Sequence, residues 1–419
     1  MTNPSLLEAT KVWLKIGLLS FGGPAAQIAL MHREVVEARG WLSEQQYLNA
    51  LSFCMLLPGP EAMQLATYSG WRLHGVVGGL IAGLLFVVPG AFVILGLAVV
   101  YAFFGEVPLV SAMFLGVKAV VVVIVLEALL RVAKKALHLP EQWVVAALAF
   151  VAIFFLALPY PLIIAVAALF GFFRANKSVE AADKAKHVKF SKTLGTMALW
   201  LVIWWAPLLA LAALDPSGML QTLGLFFSKL AMVTFGGAYA VLAYMGQDVV
   251  GNLGWLSAGE MMDGLGLAET TPGPLILVTE FVGFLAAFNS HGLWFGLLGA
   301  LVTLWATFAP CFLWIFVGAP YIDWIGNQPR LVSALKAITA AVVGVILNLS
   351  LWFALHVFFT DVEAEKWRWL TLWSPDLASL DWRVVALSVA ASFLLFKLHW
   401  GLIRILVLAA FAGMGLSLF

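Results

Sequence analysis

Apolar residues follow one another in long runs along this chain, and short groups of polar residues separate the runs. Stretches of 20 or more predominantly apolar residues recur along the whole chain, and an α-helix needs about 20 such residues to cross a bilayer. Composition agrees, because 63% of the 419 residues are hydrophobic and 11% are charged. A water-soluble core does not accommodate that much apolar sequence. The pattern predicts an all-α polytopic membrane protein.

The apolar runs predict a series of membrane segments in two halves. In the first half the segments are 6 to 38, 43 to 73, 75 to 104, 109 to 130, 142 to 158 and 160 to 173. An additional segment, 194 to 214, precedes the second half, whose segments are 218 to 248, 257 to 288, 291 to 318, 331 to 359, 384 to 397 and 400 to 418. The last two segments of each half are short and predict a thin helical hairpin.

The two halves are related by duplication. Of the 46 residues between positions 15 and 60, 17 recur 214 positions later. Eight of the 17 repeated residues are Gly, Pro, Trp or Lys, whereas Leu, Ala and Val dominate the chain, so chance does not explain the match. The clearest pairs are Lys15/Lys229, Phe21/Phe235, Gly22/Gly236, Gly23/Gly237, Gly40-Trp41-Leu42-Ser43 with Gly254-Trp255-Leu256-Ser257, and Pro58-Gly59-Pro60 with Pro272-Gly273-Pro274. Duplicated apolar units of this kind are typical of secondary transporters.

Charge predicts how the two repeats are oriented. The segment 174 to 192 is rich in Lys and Arg, which places it in the cytoplasm. The expected organisation is an N-terminal repeat (1–174), a basic cytoplasmic linker (175–193), a linking transmembrane helix (194–214) and a C-terminal repeat (215–419). The single linking helix inverts the second repeat, so the acidic, Trp-rich loop 360–383 is expected outside. Parallel repeats are the alternative, and they would place the linker and this loop on the same side.

Glycine and proline interrupt the first two segments of each repeat. Pro removes a backbone donor and Gly favours non-helical conformations, so Gly22-Gly23 and Pro58-Gly59-Pro60 should stop their helices. Backbone groups freed at membrane depth must be buried in protein or line a wet cavity. The breaks therefore predict broken or re-entrant helices that meet at a central site. Helix N-termini at such breaks attract anions, each acting as about half a positive charge.

A doubly charged anion also calls for side-chain cations and polar groups near the breaks. Lysines within membrane segments are costly and are often functional, although snorkelling to the interface is the alternative for Lys15. The candidate substrate-binding residues are Lys15, Gly22, Gly23, Pro58, Gly59, Pro60, Gln64, Lys118, Lys229, Gly236, Gly237, Thr271, Gly273, Pro274 and Lys336.

Acids at membrane depth indicate a second role, the transfer of a coupling proton. Glu61 has the alternative of being a first-turn acid that the helix dipole favours, and the two arginines are alternatively markers of the cytoplasmic face. The candidate coupling or gating residues are Glu61, Glu269, Glu280, Arg33 and Arg72.

Other chemistry is not indicated. The two cysteines, Cys54 and Cys311, lie in apolar segments, and the seven histidines form no closely spaced metal motif. No Walker-type phosphate loop and no nucleophile elbow are present in the sequence. We therefore expect no catalytic residues, no metal and no cofactor. An intramembrane enzyme is retained as a remote alternative and a passive anion channel as a nearer one.

The motifs resemble those of the chromate ion transporter family. The run from Lys15 to Pro24, the Gly40-Trp41-Leu42-Ser43 motif and the run from Leu57 to Thr67 are similar to the first half of that family, and Phe235 to Tyr239 with Gly266 to Pro274 are similar to the matching half. The resemblance covers essentially the whole chain, as in the long two-domain members. Pro24 is replaced by Ala238 and Glu61 by Leu275, so the two halves are not chemically equivalent.

The resemblance implies chromate efflux across a bacterial inner membrane and hence chromate resistance. Transport would be driven by the membrane potential, a proton gradient or both. A transporter or channel for another oxyanion such as sulfate is the alternative, because sulfate is also a tetrahedral dianion. The expected partners are chromate, sulfate as a competing analogue, membrane lipid and, as an open alternative, a second copy of the chain in a homodimer. No nucleic acid is expected.

Overall fold

A computed structural model describes residues 4–175, 190–235, 238–322 and 328–416. The chain forms two compact units, each built from three separate stretches. The first unit comprises Met1–Ala98, Ala175–Ala238 and Thr271–Val332, and the second comprises Val99–Arg174, Tyr239–Thr270 and Ser333–Phe419. Each unit therefore combines residues from both predicted repeats.

Helices in the first repeat end where glycine or proline predicts it. They are α1 (Leu6–Leu19), α2 (Gly23–His32, continued by a π turn over Arg33–Glu37), α3 (Glu44–Cys54), α4 (Glu61–Phe104), α5 (Pro108–Ala136), α6 (Pro140–Phe154) and α7 (Tyr160–Arg174). The long α4 is kinked at His74 and Gly75, whose backbone angles are not helical. Its first part, residues 61–73, is thus a separate short helix.

The second half follows the same plan. The linking helix is α8 (Phe190–Leu214), followed by α9 (Met219–Val233), α10 (Ala238–Met245, continued by a π turn over Gly246–Asn252), α11 (Ala258–Thr270), a 3₁₀ turn (Leu275–Leu277), α12 (Val278–His291), α13 (Leu293–Gly318), α14 (Pro329–Phe358), β1 (Val362–Trp367), β2 (Leu370–Pro375), α15 (Trp382–Ser392, continued by a π turn over Phe393–Lys397) and α16 (Leu402–Leu416). The π turns after α2 and α10 occupy equivalent positions of the two repeats.

Within the first unit, glycines allow consecutive helices to pack closely. A methyl group built on Gly70 would lie 2.3 Å from the carbonyl oxygen of Gly78, across the kink of α4. In the second repeat, a methyl group on Gly299 would lie 2.4 Å from the carbonyl oxygen of Gly283, where α13 packs on α12. Only glycine permits this approach of two backbones. Both repeats therefore have the same arrangement, a short helix after Pro-Gly-Pro packed against a long one.

Within the second unit, α5 packs against α11, α15 and α16. A methyl group on Gly116 of α5 would overlap the carbonyl oxygen of Ala409 in α16, and one on Gly413 would lie 2.4 Å from the carbonyl oxygen of Ala112. Ser388 of α15 donates a hydrogen bond to the carbonyl oxygen of Ala119, at 2.9 Å. This close packing fixes the helix that carries Lys118.

The observed elements agree with the all-α membrane prediction. Five helices among the described residues are long and apolar enough to cross a membrane. They are Glu61–Phe104, Pro108–Ala136, Ser191–Leu211, Leu293–Tyr321 and Pro329–Phe358. The antiparallel hairpin β1–β2, which pairs Val362 with Pro375, was not predicted. It lies in the loop 360–383.

Candidate functional site

The first repeat breaks its helices at two glycine-containing motifs. After α1, the backbone passes through Gly22 and Gly23 with φ of 84° and 77°, a left-handed conformation that side chains disfavour. Between α3 and α4, Gly59 has φ of 118°. The duplicate of Gly59, Gly273, has φ of 96°. Each glycine therefore occupies a conformation that explains why glycine is present there.

The Pro-Gly-Pro motif of each repeat is hydrogen-bonded to the Gly-Gly break of the other repeat. The amide of Gly59 donates to the carbonyl oxygen of Thr234, and the amide of Gly273 donates to the carbonyl oxygen of Ser20, both at 2.8 Å. Residues 20 and 234, like 59 and 273, are 214 positions apart. The two hydrogen bonds are therefore equivalent under the duplication, and all four residues belong to the first unit. We call these four residues the junction.

Two buried glutamines support the junction. The Gln27 side-chain amide donates to the carbonyl oxygens of Gly273, at 2.6 Å, and Ser20, at 3.3 Å. The Gln64 side-chain amide donates to the carbonyl oxygen of Pro58, at 2.7 Å. Among the described residues, the Oε1 atoms of both glutamines are buried without a hydrogen-bond partner. Since buried polar atoms are usually satisfied, these two oxygens leave acceptor capacity at the junction.

Each Pro-Gly-Pro motif also packs on a proline-containing step of a long helix from the other repeat. A methyl group on Gly90, which follows Pro89 in α4, would lie 2.2 Å from the carbonyl oxygen of Pro272. A methyl group on Gly59 would lie 2.9 Å from the sulfur of Cys311, which follows Pro310 in α13. The packing is thus reciprocal. The Gly90 contact is with a backbone oxygen, whereas the Gly59 contact is with a side-chain sulfur.

The amides available to an anion are those of the helices that begin after the motifs. The glycine amides themselves are engaged in the junction, as described above. The first-turn amides of a helix have no acceptor within that helix, and α4 begins at Glu61, directly after Pro60. In the second repeat the equivalent turn is the 3₁₀ segment Leu275–Leu277, which follows Pro274. Both prolines therefore precede helix N-termini, as the sequence predicted.

The predicted cations lie in different surroundings. Lys15 is paired with Glu34, with 2.7 Å between Nζ and Oε1, and Arg39 contacts the other oxygen of Glu34 at 2.6 Å. Lys118, in the second unit, lies 3.2 Å from Oδ2 of Asp263. The remaining predicted cations are exposed. These are Lys229, Lys336, Arg33 and Arg72.

The predicted acids and polar groups are mostly buried. Glu280 is 1% exposed, and its Oε2 has no hydrogen-bond partner among the described residues. Glu269, in the second unit, accepts a hydrogen bond from Tyr239 at 2.8 Å. Thr271 is buried, whereas Glu61 is half-buried at the start of α4. Gly236 and Gly237 lie outside the described residues.

Sequence reasoning missed several residues of these sites. Ser20 and Thr234 contribute backbone carbonyl oxygens, which side-chain chemistry does not reveal, although both positions carry hydroxyls 214 residues apart. The Pro89 and Pro310 steps were available as a signal, because each proline lies inside a long apolar helix. Asp263 gave no signal, because its equivalent in the first repeat is Asn49. Only the folded structure shows that Asp263 contacts Lys118 and Tyr101.

Comparisons with a family profile and with individual proteins indicate the same family. The profile described as chromate transporter matches residues 7–172 and 221–416. A chromate transport protein from Pseudomonas aeruginosa is 30% identical, covering 99% of this chain and 92% of its own length. A chromate transport protein from Cupriavidus metallidurans is also 30% identical, covering 82% and 81%. A probable chromate transport protein from Synechococcus elongatus is 30% identical, covering 82% and 83%. No solved structure matches.

Proposed function

This chain belongs to the chromate transporter family, and we propose that it is a secondary transporter that exports chromate across the bacterial inner membrane. The observation that carries the proposal is the reciprocal junction, in which the Pro-Gly-Pro motif of each repeat is hydrogen-bonded to the Gly-Gly break of the other. It brings broken backbone from both repeats together within one unit. Transporter substrate sites are typically formed by such interrupted helices.

The substrate would bind at the helix N-termini that begin at the junction. Each terminus contributes about half a positive charge, so the two helices after Pro60 and Pro274 supply roughly one charge in total. Chromate carries two negative charges, so lysine side chains would supply the rest of the positive charge that neutralises it. Gln64, which is fully buried, donates one side-chain N–H to the carbonyl oxygen of Pro58. Its second amide N–H would donate to the anion, because an oxyanion only accepts hydrogen bonds. The asymmetry between Glu61 and Leu275 favours one shared site over two independent ones.

The repeats would have inverted topology. In the second unit, Arg174 at the end of α7 contacts Glu141 at the start of α6, at 2.7 Å. At the other end of α6, the carbonyl oxygen of Phe155 accepts a hydrogen bond from the amide of Thr371 in β2, at 2.7 Å. A helix of 15 residues is about 22 Å long. The basic linker therefore begins at one end of α6, and the loop 360–383 contacts the other end, which supports opposite membrane sides for them.

The membrane potential favours export. Moving a dianion out of a cell that is negative inside releases about 4.6 kcal/mol per 100 mV, twice the value for one charge. Export therefore needs no nucleotide hydrolysis. A proton carried by Glu280 or Glu269 would add a second driving force, and the burial of Glu280 without a partner for Oε2 supports Glu280 in this role.

The decisive experiment is chromate uptake into everted vesicles that contain the protein. A membrane potential and a pH gradient are imposed separately, and sulfate is added as a competitor. Export predicts saturable uptake that rises with an inside-positive potential in everted vesicles. Uptake that is absent under both gradients would contradict the proposal.

The same measurement separates the alternatives. A sulfate transporter would accumulate sulfate with higher apparent affinity than chromate. A channel would give ionic conductance far above the turnover of a carrier. Chromate uptake that is saturable and resistant to equimolar sulfate would support chromate as the substrate.

A further inference from the structure

The second unit contains a cavity that the junction does not include. Its volume is about 170 Å³, and it lies between α5, the first turn of α11, the end of α14 and the start of α15. A water molecule occupies about 30 Å³ of liquid, so the cavity has room for a small oxyanion with some hydration. The residues that border it and carry polar groups are Lys118, His356, Thr360 and Asp381.

Lys118 is the cationic group of this cavity. Its Nζ lies 3.2 Å from Oδ2 of Asp263, and its side chain is 27% exposed, whereas that of Asp263 is 5% exposed. An ammonium group has three N–H donors, and the Asp263 contact uses one of them. A methyl group on Gly259 would lie 3.3 Å from Nζ, so glycine at this position leaves space for the ammonium to move.

Asp263 has a second partner. Tyr101 donates a hydrogen bond to the same Oδ2 atom at 2.8 Å. A buried carboxylate that lost its only partner would be strongly destabilised. Because Tyr101 remains hydrogen-bonded to Asp263, the carboxylate keeps one partner when Lys118 moves away. Oδ1 of Asp263 is buried without a hydrogen-bond partner among the described residues.

The other acids near the cavity are engaged. Asp381 accepts two hydrogen bonds from the Arg383 guanidinium, at 2.9 and 3.1 Å, and this contact holds the pKa of Asp381 below its ordinary value. Glu260 accepts a hydrogen bond from the amide of Ser257 at 2.7 Å. Asp361 lies 3.5 Å from the Thr360 hydroxyl, at the outer rim.

The arrangement combines Lys118 of the first repeat with Asp263 and Gly259 of the second, and the duplication does not reproduce it. Lys336, the counterpart of Lys118, is exposed, and the first repeat has Asn49 and Gln45 where the second has Asp263 and Gly259. A duplication that served helix packing alone would not require these differences. They supply Lys118 with a buried acid and an adjacent space, both from the second repeat.

We propose that this cavity is an oxyanion vestibule in which Lys118 moves from Asp263 to the incoming or departing anion. Asp263 is then a positioning residue that holds Lys118 when no anion is present, and Tyr101 stabilises Asp263 when Lys118 moves. The ligand class is a tetrahedral dianion. The inference rests on the proposed function for its ligand, but it concerns a site separate from the junction residues.

The test measures anion binding without transport. Thr360→Cys places a thiol at the rim of the cavity, and native Cys54 and Cys311 are buried. The full-length protein is treated with a negatively charged methanethiosulfonate reagent in the presence of sulfate, which does not oxidise thiols. Potassium chloride at matched ionic strength controls for screening. Sulfate should slow modification of Thr360→Cys and should not slow modification of Leu377→Cys, which is exposed in the same loop.

Further variants test whether protection by sulfate depends on Lys118. In the Thr360→Cys background, Lys118→Gln should raise the sulfate concentration needed for half-protection by roughly tenfold or more, the effect of losing a hydrogen bond to a charged group. Lys118→Arg should retain protection, and Asp263→Asn should lower the required concentration because it releases Lys118. Lys336→Gln is the matched control and should leave protection unchanged.

Equal protection in Lys118→Gln and its parent would overturn the inference, as would protection of Leu377→Cys by the same sulfate concentrations. Stronger protection by a divalent cation than by sulfate would also overturn it, since the cavity would then be a cation site. If Asp263→Asn does not fold, the Lys118 and Lys336 variants still test whether Lys118 binds the anion. Chromate uptake is measured on the same proteins, so a protein that transports without vestibule protection refutes this inference and leaves the proposed function intact.

Discussion

At the scale of single residues, hydrogen bonding distinguishes the two candidate proton carriers, both of which are buried. Oε1 of Glu269 is hydrogen-bonded to Tyr239, whereas Oε2 of Glu280 has no hydrogen-bond partner among the described residues. Burying an unpaired carboxylate is costly, and the cost is removed when the group binds a proton. Side chains in a helix lean toward its N-terminus, and Glu280 lies in the first turn of α12.

Replacing Glu280 by glutamine tests the coupling role. Glutamine has nearly the same shape but cannot exchange a proton. We expect Glu280→Gln to lose chromate uptake driven by a pH gradient and to retain uptake driven by the membrane potential, both measured in everted vesicles. Glu269→Gln, which can still accept the Tyr239 hydrogen bond, should retain more of the pH response. An unaltered pH response in Glu280→Gln would exclude that residue as the carrier.

At the scale of elements, the approach of a long helix to a Pro-Gly-Pro motif depends on one missing side chain. Gly90 of α4 faces the carbonyl oxygen of Pro272, and an added methyl group would lie 2.2 Å from it. Backbone atoms cannot move away as a flexible side chain can. The position of α4 against the motif therefore requires glycine at residue 90.

Gly90→Ala should consequently impair both packing and transport. Overpacking of this kind costs about 1–3 kcal/mol, so we expect a lower unfolding temperature and a reduced rate of chromate uptake. The matched control is Gly96→Ala on the same helix, where an added methyl group meets no atom within 4 Å. Alanine stabilises a helix relative to glycine by about 0.5–1 kcal/mol, so this variant should be at least as stable as the parent. Equal uptake by the two variants would show that the contact at residue 90 is unimportant.

At the scale of the whole molecule, the proposed inverted topology of the repeats makes a simple prediction. His138 precedes α6 and is exposed, and Leu377 is 78% exposed in the loop that contacts the opposite end of α6. We expect an impermeant thiol reagent to modify Leu377→Cys in intact cells, and to modify His138→Cys only in everted vesicles. The buried native cysteines keep the background low. Modification of both positions from the same side would favour parallel repeats.

The sequence by itself determined the class of protein and the positions of its breaks. Apolar run length decides which segments enter a bilayer, and glycine and proline stop helices locally, so both features are encoded in short stretches. The duplication also identified the Gly-Gly and Pro-Gly-Pro motifs as breaks that recur in both halves. For the same reason the predicted helix ends agree closely with the observed ones.

The tertiary structure decided which of these segments meet. Nothing local in the sequence pairs Gly59 with Thr234 or Gly273 with Ser20, because the contacts join different repeats and use backbone atoms. Nor does the sequence assign Asp263 and Tyr101 to Lys118. The β1–β2 hairpin is another example, since each strand has only six residues and alternates apolar and polar positions over three or four of them. Packing across long sequence separations depends on the sum of many weak contacts, and only the folded chain specifies that sum.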